Sequence, residues 1–284
     1  MPPRSQFSSG KFVNVSMSNR ADLTRLDLAL VERGLAESRT RAARLIEAGS
    51  VRVDDRIVTK TGHKVDDAAV LVITALDRWV ARSAAKLLAA CEYFDIDLQG
   101  MTVLDIGAST GGFTEVALFR GASRVVALDV GHGQLHPTLR GNVRVTVVEG
   151  FNARDLSREI VEGWGVGHID VVVIDVSFIS VTMVLPAVVA ALGLDFRYVL
   201  LVKPQFEVGK GNVHEGIVRD SVKRDAALVA VCESLDSLGL PISGIMASPI
   251  DGEHGNREAI VYGDPTKPMD AREWRDQAAS TWGG

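Results

Sequence analysis

The chain has 284 residues, of which 46% are hydrophobic and 24% are charged, so its composition is that of a soluble globular protein and excludes a disordered one. No apolar run reaches the roughly 18 to 20 residues of a membrane-spanning helix, and the first twenty residues lack the continuous apolar segment of a signal peptide. Two cysteines are too few for a disulfide framework, and we expect a cytoplasmic protein.

The net charge of −5 is unevenly distributed along the chain. Residues 1–80 contain 13 Lys and Arg against 10 Asp and Glu, whereas the remaining residues contain 18 against 26. A basic segment attached to an acidic one favours a polyanion as the partner of the basic part.

The first part of the chain predicts a disordered tail and a small α+β domain. Residues 1–22 are rich in Ser, Pro and Asn, which is typical of disorder. Thr24 is expected to cap a first helix that ends at Gly34, and Ser38 is expected to cap a second helix with the sequence RTRAARLIEA. The strand-like segments VRVDDRIV and VLVI follow. We therefore predict a domain over residues 23–76.

The rest of the chain predicts a Rossmann-like α/β domain after a short linker at residues 77–83. Apolar strands alternate with helical segments, and their sequences are TVLDIGA, RVVALDV, RVTVVEG, DVVVIDVS and YVLLVKP. Such runs are typical of parallel strands buried on both faces of a doubly wound sheet. The last two strands, ISGIMASPI and REAIVYG, are joined by only six residues and should be antiparallel neighbours. We expect this domain over residues 84–264, and a C-terminal helix or tail over 265–284.

A turn of small residues follows the first of these strands and predicts a nucleoside site. Asp105 ends the strand, and the segment Gly107 to Gly112 allows a sharp turn with a helix N-terminus behind it. Asp129 ends the next strand, where a carboxylate can accept hydrogen bonds from both hydroxyls of a ribose. Ser109 stands where the dinucleotide fingerprint has its middle glycine, which favours S-adenosylmethionine, a ligand without phosphates whose ammonium group would suit Asp105. A turn without a ligand and a NAD site are the alternatives.

Two further side chains at strand ends indicate the reaction. The fourth strand ends at Asp175 and the fifth at Lys203, and open α/β sheets place their sites at the carboxyl ends of their strands. The fourth strand end offers no thiol for cytosine C5 methylation and no Asn/Asp-Pro-Pro-aromatic turn for amino-group methylation. A lysine acts as a base only as the neutral amine, which partial burial and a second cation, Lys86, would favour. Lys203 could then take the proton of a ribose 2′-hydroxyl as that oxygen attacks a methyl group.

This arrangement resembles the FtsJ-like ribose 2′-O-methyltransferases, which carry a Lys-Asp-Lys-Glu tetrad. The matching residues are Lys86, Asp175, Lys203 and Glu258. The motifs RSAAKL, GASTGGFTE, DVGHGQL, NARDL, DVSFIS, VKPQFEVGKG and GNREAIV are similar, in order, to those of the TlyA family, whose members are often called haemolysins and methylate ribosomal RNA. The resemblance spans residues 22–263 and departs from the family at Ala259, where an aromatic residue is usual.

The resemblance implies a role for each of these residues. Lys203 would be the base and Asp175 its partner near the sulfonium. Lys86 and Glu258 would orient the ribose and tune the lysine. The residues expected to bind the cofactor are Asp105, Gly107, Ala108, Ser109, Thr110, Gly111, Gly112, Phe113, Asp129, Val130, Asn152 and Asp175.

Residues 24–75 resemble the RNA-binding fold of small-subunit ribosomal protein S4. Arginines crowd the second helix, where guanidinium groups can bind the phosphates of a folded RNA, largely by shape. Phe178 and Phe206 could stack on a splayed nucleobase, although core packing is expected for at least one of them. The side chains predicted to contact RNA are Arg25, Arg39, Arg41, Arg44, Lys60, Lys64, Arg82 and Phe178. Solvated arginines without a partner are the alternative.

Together the motifs predict a ribosomal RNA 2′-O-methyltransferase that uses S-adenosylmethionine and has ribosomal RNA or ribosomal subunits as partners. No metal is expected, since His214 and His254 lack metal-ligand spacing, and no membrane partner is expected either. A membrane-lytic protein and a catalytically idle RNA-binding factor of ribosome assembly are the alternative functions. The complete tetrad argues against the idle factor, and the lack of an apolar spanning segment argues against lysis.

Overall fold

The computed structural model of the chain describes residues 23–47, 50–73, 79–209, 211, 213, 215–252 and 255–282. The tail predicted to be disordered, residues 1–22, lies outside the described residues. The chain divides into two compact units, residues 1–74 and residues 75–284. The finer boundaries predicted from the sequence, at residues 23–76, 77–83, 84–264 and 265–284, stay predictions.

The N-terminal unit packs two short helices against short antiparallel strands. Its elements are β1 (Thr24–Arg25), α1 (Leu26–Glu32), α2 (Arg39–Glu47), β2 (Val51–Val53), β3 (Arg56–Ile57), β4 (Lys64–Val65) and β5 (Leu71–Ile73). β1 pairs with β4, and β2 lies between β3 and β5. Its core includes Leu26, Leu30, Ala42, Leu45, Ile46 and Val51. The predicted α+β character is confirmed.

The two helices of this unit begin in different ways. Ser38 accepts a hydrogen bond from the backbone N–H of Arg41 at 3.2 Å, as expected of a helix cap. The prediction that Thr24 caps α1 is wrong, because Thr24 pairs with Val65 in the β1–β4 ladder. The first amide of α1, at Leu26, donates instead to the backbone carbonyl of His63 at 2.7 Å. A tertiary backbone contact therefore replaces the side-chain cap.

The described part of the C-terminal unit contains one mixed sheet of seven strands. They are β6 (Thr102–Ile106), β7 (Arg124–Asp129), β8 (Val145–Glu149), β9 (Val171–Ile174), β10 (Arg197–Val202), β11 (Gly244–Ala247) and β12 (Ala259–Gly263). Their order is β11-β12-β10-β9-β6-β7-β8, and β6 to β10 are parallel. β12 is antiparallel to both β10 and β11. The predicted Rossmann-like sheet with one reversed strand is confirmed.

Helices cover both faces of this sheet. They are α3 (Ala84–Tyr93), α4 (Gly112–Phe119), α5 (Pro137–Arg140), α6 (Arg158–Gly163), α7 (Leu185–Leu192), α8 (Pro204–Glu207), α9 (Ser221–Ser237) and α10 (Ala271–Ser280). On one face, Leu87 of α3 and Val116 of α4 share a core with Val103 of β6. On the other face, Leu228 of α9 shares a core with Leu104 of β6. Alternate residues of a strand enter opposite cores, which explains the near-continuous apolar runs.

The two cysteines lie in these cores. Cys91 in α3 and Cys232 in α9 are buried free thiols. Burial raises the pKa of Cys91 to about 11 and that of Cys232 to about 12. Both residues therefore act as small apolar side chains at neutral pH.

Candidate active site

Two adjoining cavities lie where β6, β7, β9 and β10 end. The first, of about 400 Å³, is called here the lysine cavity, and its walls include all four residues of the predicted tetrad, Lys86, Asp175, Lys203 and Glu258. The second, of about 440 Å³, is called the turn cavity, and its walls include Asp129 and Asn152. The residues that line both cavities are Gly107, Ser109, Asp175 and Ser177. The two cavities therefore meet beside Asp175.

The four tetrad residues form two ion pairs. Lys203 Nζ lies 2.7 Å from Asp175 Oδ1, and the two side chains are 11% and 13% exposed. The same nitrogen donates a hydrogen bond to Ser177 Oγ at 2.7 Å. Lys86 Nζ lies 2.5 Å from Glu258 Oε2, and these side chains are 8% and 2% exposed. Each cation thus has its own carboxylate, which offsets the cost of removing both charges, fully or in part, from water.

The glycine at the start of the turn lets two strand ends approach each other. Gly107 has a φ of 86°, which favours glycine. A Cβ atom at this position would lie 2.5 Å from the backbone carbonyl oxygen of Asp175. Close packing of the turn against the end of β9 therefore requires glycine, and it holds Asp175 beside the turn.

A second glycine brings α4 close to the segment before α3. A Cβ atom on Gly112 would collide with Ser83 Oγ and would lie 3.0 Å from the backbone nitrogen of Ala84. Gly112 is the first residue of α4, and Ala84 is the first residue of α3. The missing side chain lets the beginnings of the two helices touch, and α3 carries Lys86 to the lysine cavity.

Asp129 is fixed by the backbone of the residues around it. Its Oδ2 accepts a hydrogen bond from the Ser109 N–H at 2.8 Å, and its Oδ1 accepts one from the Gly131 N–H at 2.7 Å. Each carboxylate oxygen can accept more than one hydrogen bond. The side chain therefore keeps acceptor capacity toward the turn cavity that it lines, as a ribose site needs.

Asp105 is buried away from both cavities. Thr114 Oγ1 donates to its Oδ2 at 2.6 Å, and within the described residues its Oδ1 has no hydrogen-bond partner. Burial raises the pKa of Asp105 to about 7, and the negative charge of Asp175 acts in the same direction. Asp105 lines neither cavity, so its contact with an ammonium group stays a prediction.

The other residues predicted to bind the cofactor are divided between the two cavities. Those that line the lysine cavity are Ala108, Thr110 and Phe113. Those that line the turn cavity are Asp129, Val130 and Asn152. Gly111 and Gly112 line neither cavity. A Cβ atom on Gly111 would lie 2.8 Å from Leu135 Cδ1, so this glycine serves the packing of α4.

One of the two phenylalanines named as stacking candidates is exposed. Phe178 is 89% exposed, has a φ of 66° and lines the turn cavity. Phe206 is half-buried and lines the lysine cavity. The two rings are tilted, with centroids 5.4 Å apart. Phe178 is therefore not a core residue, and its face is open to a planar partner.

Two of the arginines predicted to bind RNA also support the fold of the N-terminal unit. Arg25 Nε and Arg39 Nη2 lie 2.9 Å from the two carboxylate oxygens of Asp27, whose side chain is only 6% exposed. The hydrogen bonds from Arg25 contribute most to lowering the pKa of Asp27 from 3.8 to about 2. Sequence reasoning missed this buried partner, although Asp27 lies two residues from Arg25.

The remaining predicted RNA contacts differ in exposure. Lys60, Lys64 and Arg82 are exposed, and Arg82 lines the lysine cavity. Lys64 Nζ makes a long contact of 3.5 Å with the backbone carbonyl of Leu23. Arg41 is half-buried, and the side chain of Arg44 lies outside the described part of the chain.

Ser177 and Gln134 were missed by sequence reasoning. Ser177 contacts the Lys203 ammonium, and Gln134 Oε1 accepts a hydrogen bond from Ser109 Oγ at 3.3 Å. Ser177 comes two residues after Asp175, the carboxylate that directly follows β9, so its position in the DVS segment was a usable signal. Gln134 lies outside any strand end, and its place in the DVGHGQL motif was the only signal for it.

Within the described ranges, no helix is both long and apolar enough to cross a membrane. Across the same residues, no group of three His, Cys, Asp and Glu side chains is arranged to hold a metal ion.

Comparison with protein families places a domain boundary in the same region as the structure does. The model of the FtsJ-like methyltransferases matches residues 79–264, and the model of the S4 domain matches residues 24–71. The first match contains the turn, both cavities and the four tetrad residues. The second match contains both helices and β1 to β4 of the N-terminal unit, and it ends at the first residue of β5.

Curated relatives match most of the chain. The 16S/23S rRNA (cytidine-2′-O)-methyltransferase TlyA of Mycobacterium tuberculosis is 48% identical over 249 residues, which are 87% of this chain and 90% of that protein. Hemolysin A of Brachyspira hyodysenteriae is 39% identical over 240 residues, which are 84% of this chain and 98% of that protein. A solved structure from Streptococcus thermophilus that bears a hemolysin name has a TM-score of 0.68 and 35% identity, and the match covers 92% of this chain and 96% of that one.

Proposed function

The chain belongs to the TlyA family of FtsJ-like methyltransferases, and on this premise we propose that it methylates the 2′-hydroxyl of a ribose in ribosomal RNA with Lys203 as the base. One observation carries the proposal: Lys203 with Asp175 and Lys86 with Glu258 form two ion pairs in the wall of one cavity. Two relatives differ in name, one a methyltransferase and one a hemolysin. The tetrad would serve no step of membrane lysis, whereas it suits the transfer of a methyl group, so methyl transfer is the function that the site favours.

We propose that S-adenosylmethionine binds in the turn cavity. A volume of about 440 Å³ suits a ligand of that size. Asp129 offers acceptors for the ribose hydroxyls, and Val130 and Phe151 add apolar surface to the same wall. The bound cofactor would supply an electrophilic methyl group and a positive charge. Asp175, which lines both cavities, would be the carboxylate nearest to both the donor and Lys203.

Lys203 is proposed to take the proton that the ribose hydroxyl loses. As the 2′-oxygen forms its bond to the methyl carbon, the bond from that carbon to sulfur breaks, and Lys203 Nζ, which must first have released one proton to solvent to become the neutral amine, accepts the hydroxyl proton. Asp175 and Ser177 each contact this nitrogen at 2.7 Å, and the two contacts limit the rotation of a long and flexible side chain. Lys86 and Glu258 would orient the ribose from the same cavity.

The N-terminal unit is proposed to bind the ribosomal RNA, free or within a ribosomal subunit, in the cytoplasm. Lys60 and Lys64 are exposed, and the side chains of Arg25 and Arg39 keep 42% and 58% of their surface open although both pair with Asp27. Exposed cations can replace the counterions of RNA phosphates, which makes such binding sensitive to salt. The similarity of this unit to the S4 domain supports the same role.

The proposed reaction can be tested on purified protein. We expect transfer of labelled methyl groups from S-adenosylmethionine to ribosomal RNA from a strain that lacks this activity. The labelled nucleotide should resist alkaline hydrolysis, because the 2′-oxygen that would cleave the neighbouring phosphodiester is blocked. Label on a nucleobase, or no transfer to any ribosomal RNA or subunit, would overturn the proposal.

A further inference from the structure

The loops that follow β9 and β10 carry the groups that meet at the reaction site. The loop after β9 contains Asp175, Ser177 and Phe178, and it continues into a 3-10 turn at Val181–Met183. The segment after β10 begins with Lys203, which is the N-cap residue of α8. The ion pair of Lys203 with Asp175 spans these two loops.

A half-buried carboxyl outside the tetrad joins the same two loops. Glu207, the last residue of α8, accepts a hydrogen bond from the backbone N–H of Val181 at 2.9 Å through Oε1. Its Oε2 accepts one from Ser180 Oγ at 2.5 Å. Ser180 Oγ in turn contacts Thr182 Oγ1 at 2.7 Å and accepts from the Thr182 N–H at 3.2 Å. Glu207 thereby holds the beginning of the 3-10 turn through both of its oxygens.

Glu207 and its partner Ser180 both lie close in the chain to residues of the reaction site. α8 is a short helix, so Glu207 lies one helical turn from Lys203. On the other loop, Ser180 lies two residues beyond Phe178, which has a φ of 66°. A residue other than glycine stays in that region only when the structure around it holds it there. The Glu207 contacts supply such support on one side of Phe178, and the contact of Ser177 with Lys203 supplies it on the other.

The Glu207 carboxyl is half-buried, so water stabilises its negative charge less than it would at the surface. Burial raises the pKa of Glu207, and the hydrogen bonds from Ser180 and Val181 act in the opposite direction. A desolvated carboxylate is stable only when its oxygens have donors. Removal of the carboxyl would therefore leave the backbone N–H of Val181 without its acceptor and would leave Thr182 Oγ1 as the partner of the Ser180 hydroxyl.

We propose that Glu207 is a positioning residue, which fixes the Lys203 amine relative to the loop that carries Asp175, Ser177 and Phe178. The proposal rests on the proposed function, because it concerns the alignment of the base in that reaction. Glu207 lines neither cavity and acts only through its neighbours. A small displacement of a base from its working geometry is costly, about 10²-fold in rate for 1 Å.

Three variants of the full chain test this role. Glu207→Ala removes both acceptors. Glu207→Gln keeps an acceptor for Val181 and offers a donor to Ser180, whose hydroxyl can turn toward Thr182. Ser180→Ala removes one of the two contacts of Glu207 and also the acceptor of the Thr182 N–H. Glu233→Gln, on the exposed side of α9, is the matched control for loss of a carboxylate.

The measurement is the single-turnover rate of methyl transfer at saturating donor and RNA, at a temperature where circular dichroism shows each variant folded. Glu207→Ala should lose about tenfold to 10²-fold in this rate. Ser180→Ala should lose less, and Glu207→Gln should recover most of the rate. The double variant of Glu207→Ala with Ser180→Ala should lose less than the product of the two single losses, since both changes break the contact between Ser180 and Glu207.

The outcomes separate this inference from the proposed function. A folded Glu207→Ala or Ser180→Ala protein that transfers at the wild-type rate would overturn the positioning role, while the wild-type activity would still support the reaction. A glutamine variant as slow as the alanine variant would show that the charge matters and not the hydrogen-bond geometry, which also contradicts the proposal. Absence of transfer by the wild-type protein would instead remove the proposed function itself.

Discussion

Asp27 is a buried carboxylate that the sequence does not identify as such, because the basic residues near it suggest RNA binding instead. Arg25 and Arg39 are basic residues near a predicted RNA-binding helix, and their charge alone favours an RNA contact. The structure shows that both also hold a buried carboxylate at 2.9 Å. A substitution of either arginine would therefore disturb the fold and the RNA contact together. Lys60 and Lys64, which are exposed, are the better probes of RNA binding.

The Asp27 contacts predict a pH-dependent stability of the N-terminal unit. The pKa of Asp27 is about 2 in the folded chain against an ordinary value of 3.8, so the unfolded state binds more protons between these values. The contribution of the carboxylate is present above pH 4 and is lost as the pH falls toward 2. We expect Asp27→Asn to lower the free energy of opening of α1 at pH 7 by about 1 to 3 kcal/mol.

Hydrogen exchange of the α1 amides in the full chain measures this effect. The difference between Asp27→Asn and the wild type should shrink as the pH falls from about 4 to about 2. Asp67→Asn, which changes an exposed carboxylate of the same unit, is the control and should leave α1 unaffected. An effect of Asp27→Asn that is equally large at pH 2 and pH 7 would contradict the account.

At the scale of the elements, the turn between β6 and α4 shows what the sequence could and could not predict. The small residues from Gly107 to Gly112 predicted a ligand turn, and the structure places Gly107 in the walls of both cavities. The φ of 86° at Gly107 fits the sharp turn expected there, and the glycine has a second reason that was not expected. Its missing Cβ makes room for the carbonyl oxygen of Asp175 in the structure, which is a contact between distant segments that no local pattern encodes.

We expect Gly107→Ala to weaken the binding of S-adenosylmethionine strongly. The added Cβ would meet the backbone of Asp175 at 2.5 Å, and backbone atoms cannot move aside at low cost. We expect the affinity for S-adenosylmethionine to fall by at least about tenfold, since the clash would displace the wall that both cavities share. Isothermal titration calorimetry with the full chain measures this affinity.

Gly165→Ala is the matched control for this prediction. Gly165 has a φ of 65°, similar to that of Gly107, but a Cβ there meets nothing within 4 Å. Both variants share the backbone strain of a side chain at positive φ, and only Gly107→Ala adds the clash. Equal affinity of the two variants for the donor would show that the packing of the turn against β9 is not needed for binding.

At the scale of the whole molecule, strand types were more predictable than strand order and charge pairing. The short connection between the last two predicted strands predicted that β11 and β12 are antiparallel, and the structure confirms it. It did not predict that β12 lies between β10 and β11, because strand order depends on tertiary packing. The four tetrad residues were named from motif similarity. Their pairing, with Lys86 on Glu258 172 residues away, appears only in the folded chain.

The single-turnover rate of a Lys203→Ala variant shows whether this lysine is the base of the reaction. The rate of methyl transfer to ribosomal RNA is measured at saturating S-adenosylmethionine and RNA, with Lys223→Ala, which changes an exposed lysine of α9, as the control. A general base contributes about 10² to 10⁴ in rate, so Lys203→Ala should lose at least about 10²-fold while it still binds the donor, and Lys223→Ala should keep the wild-type rate. Transfer by Lys203→Ala at the rate of Lys223→Ala would contradict the account.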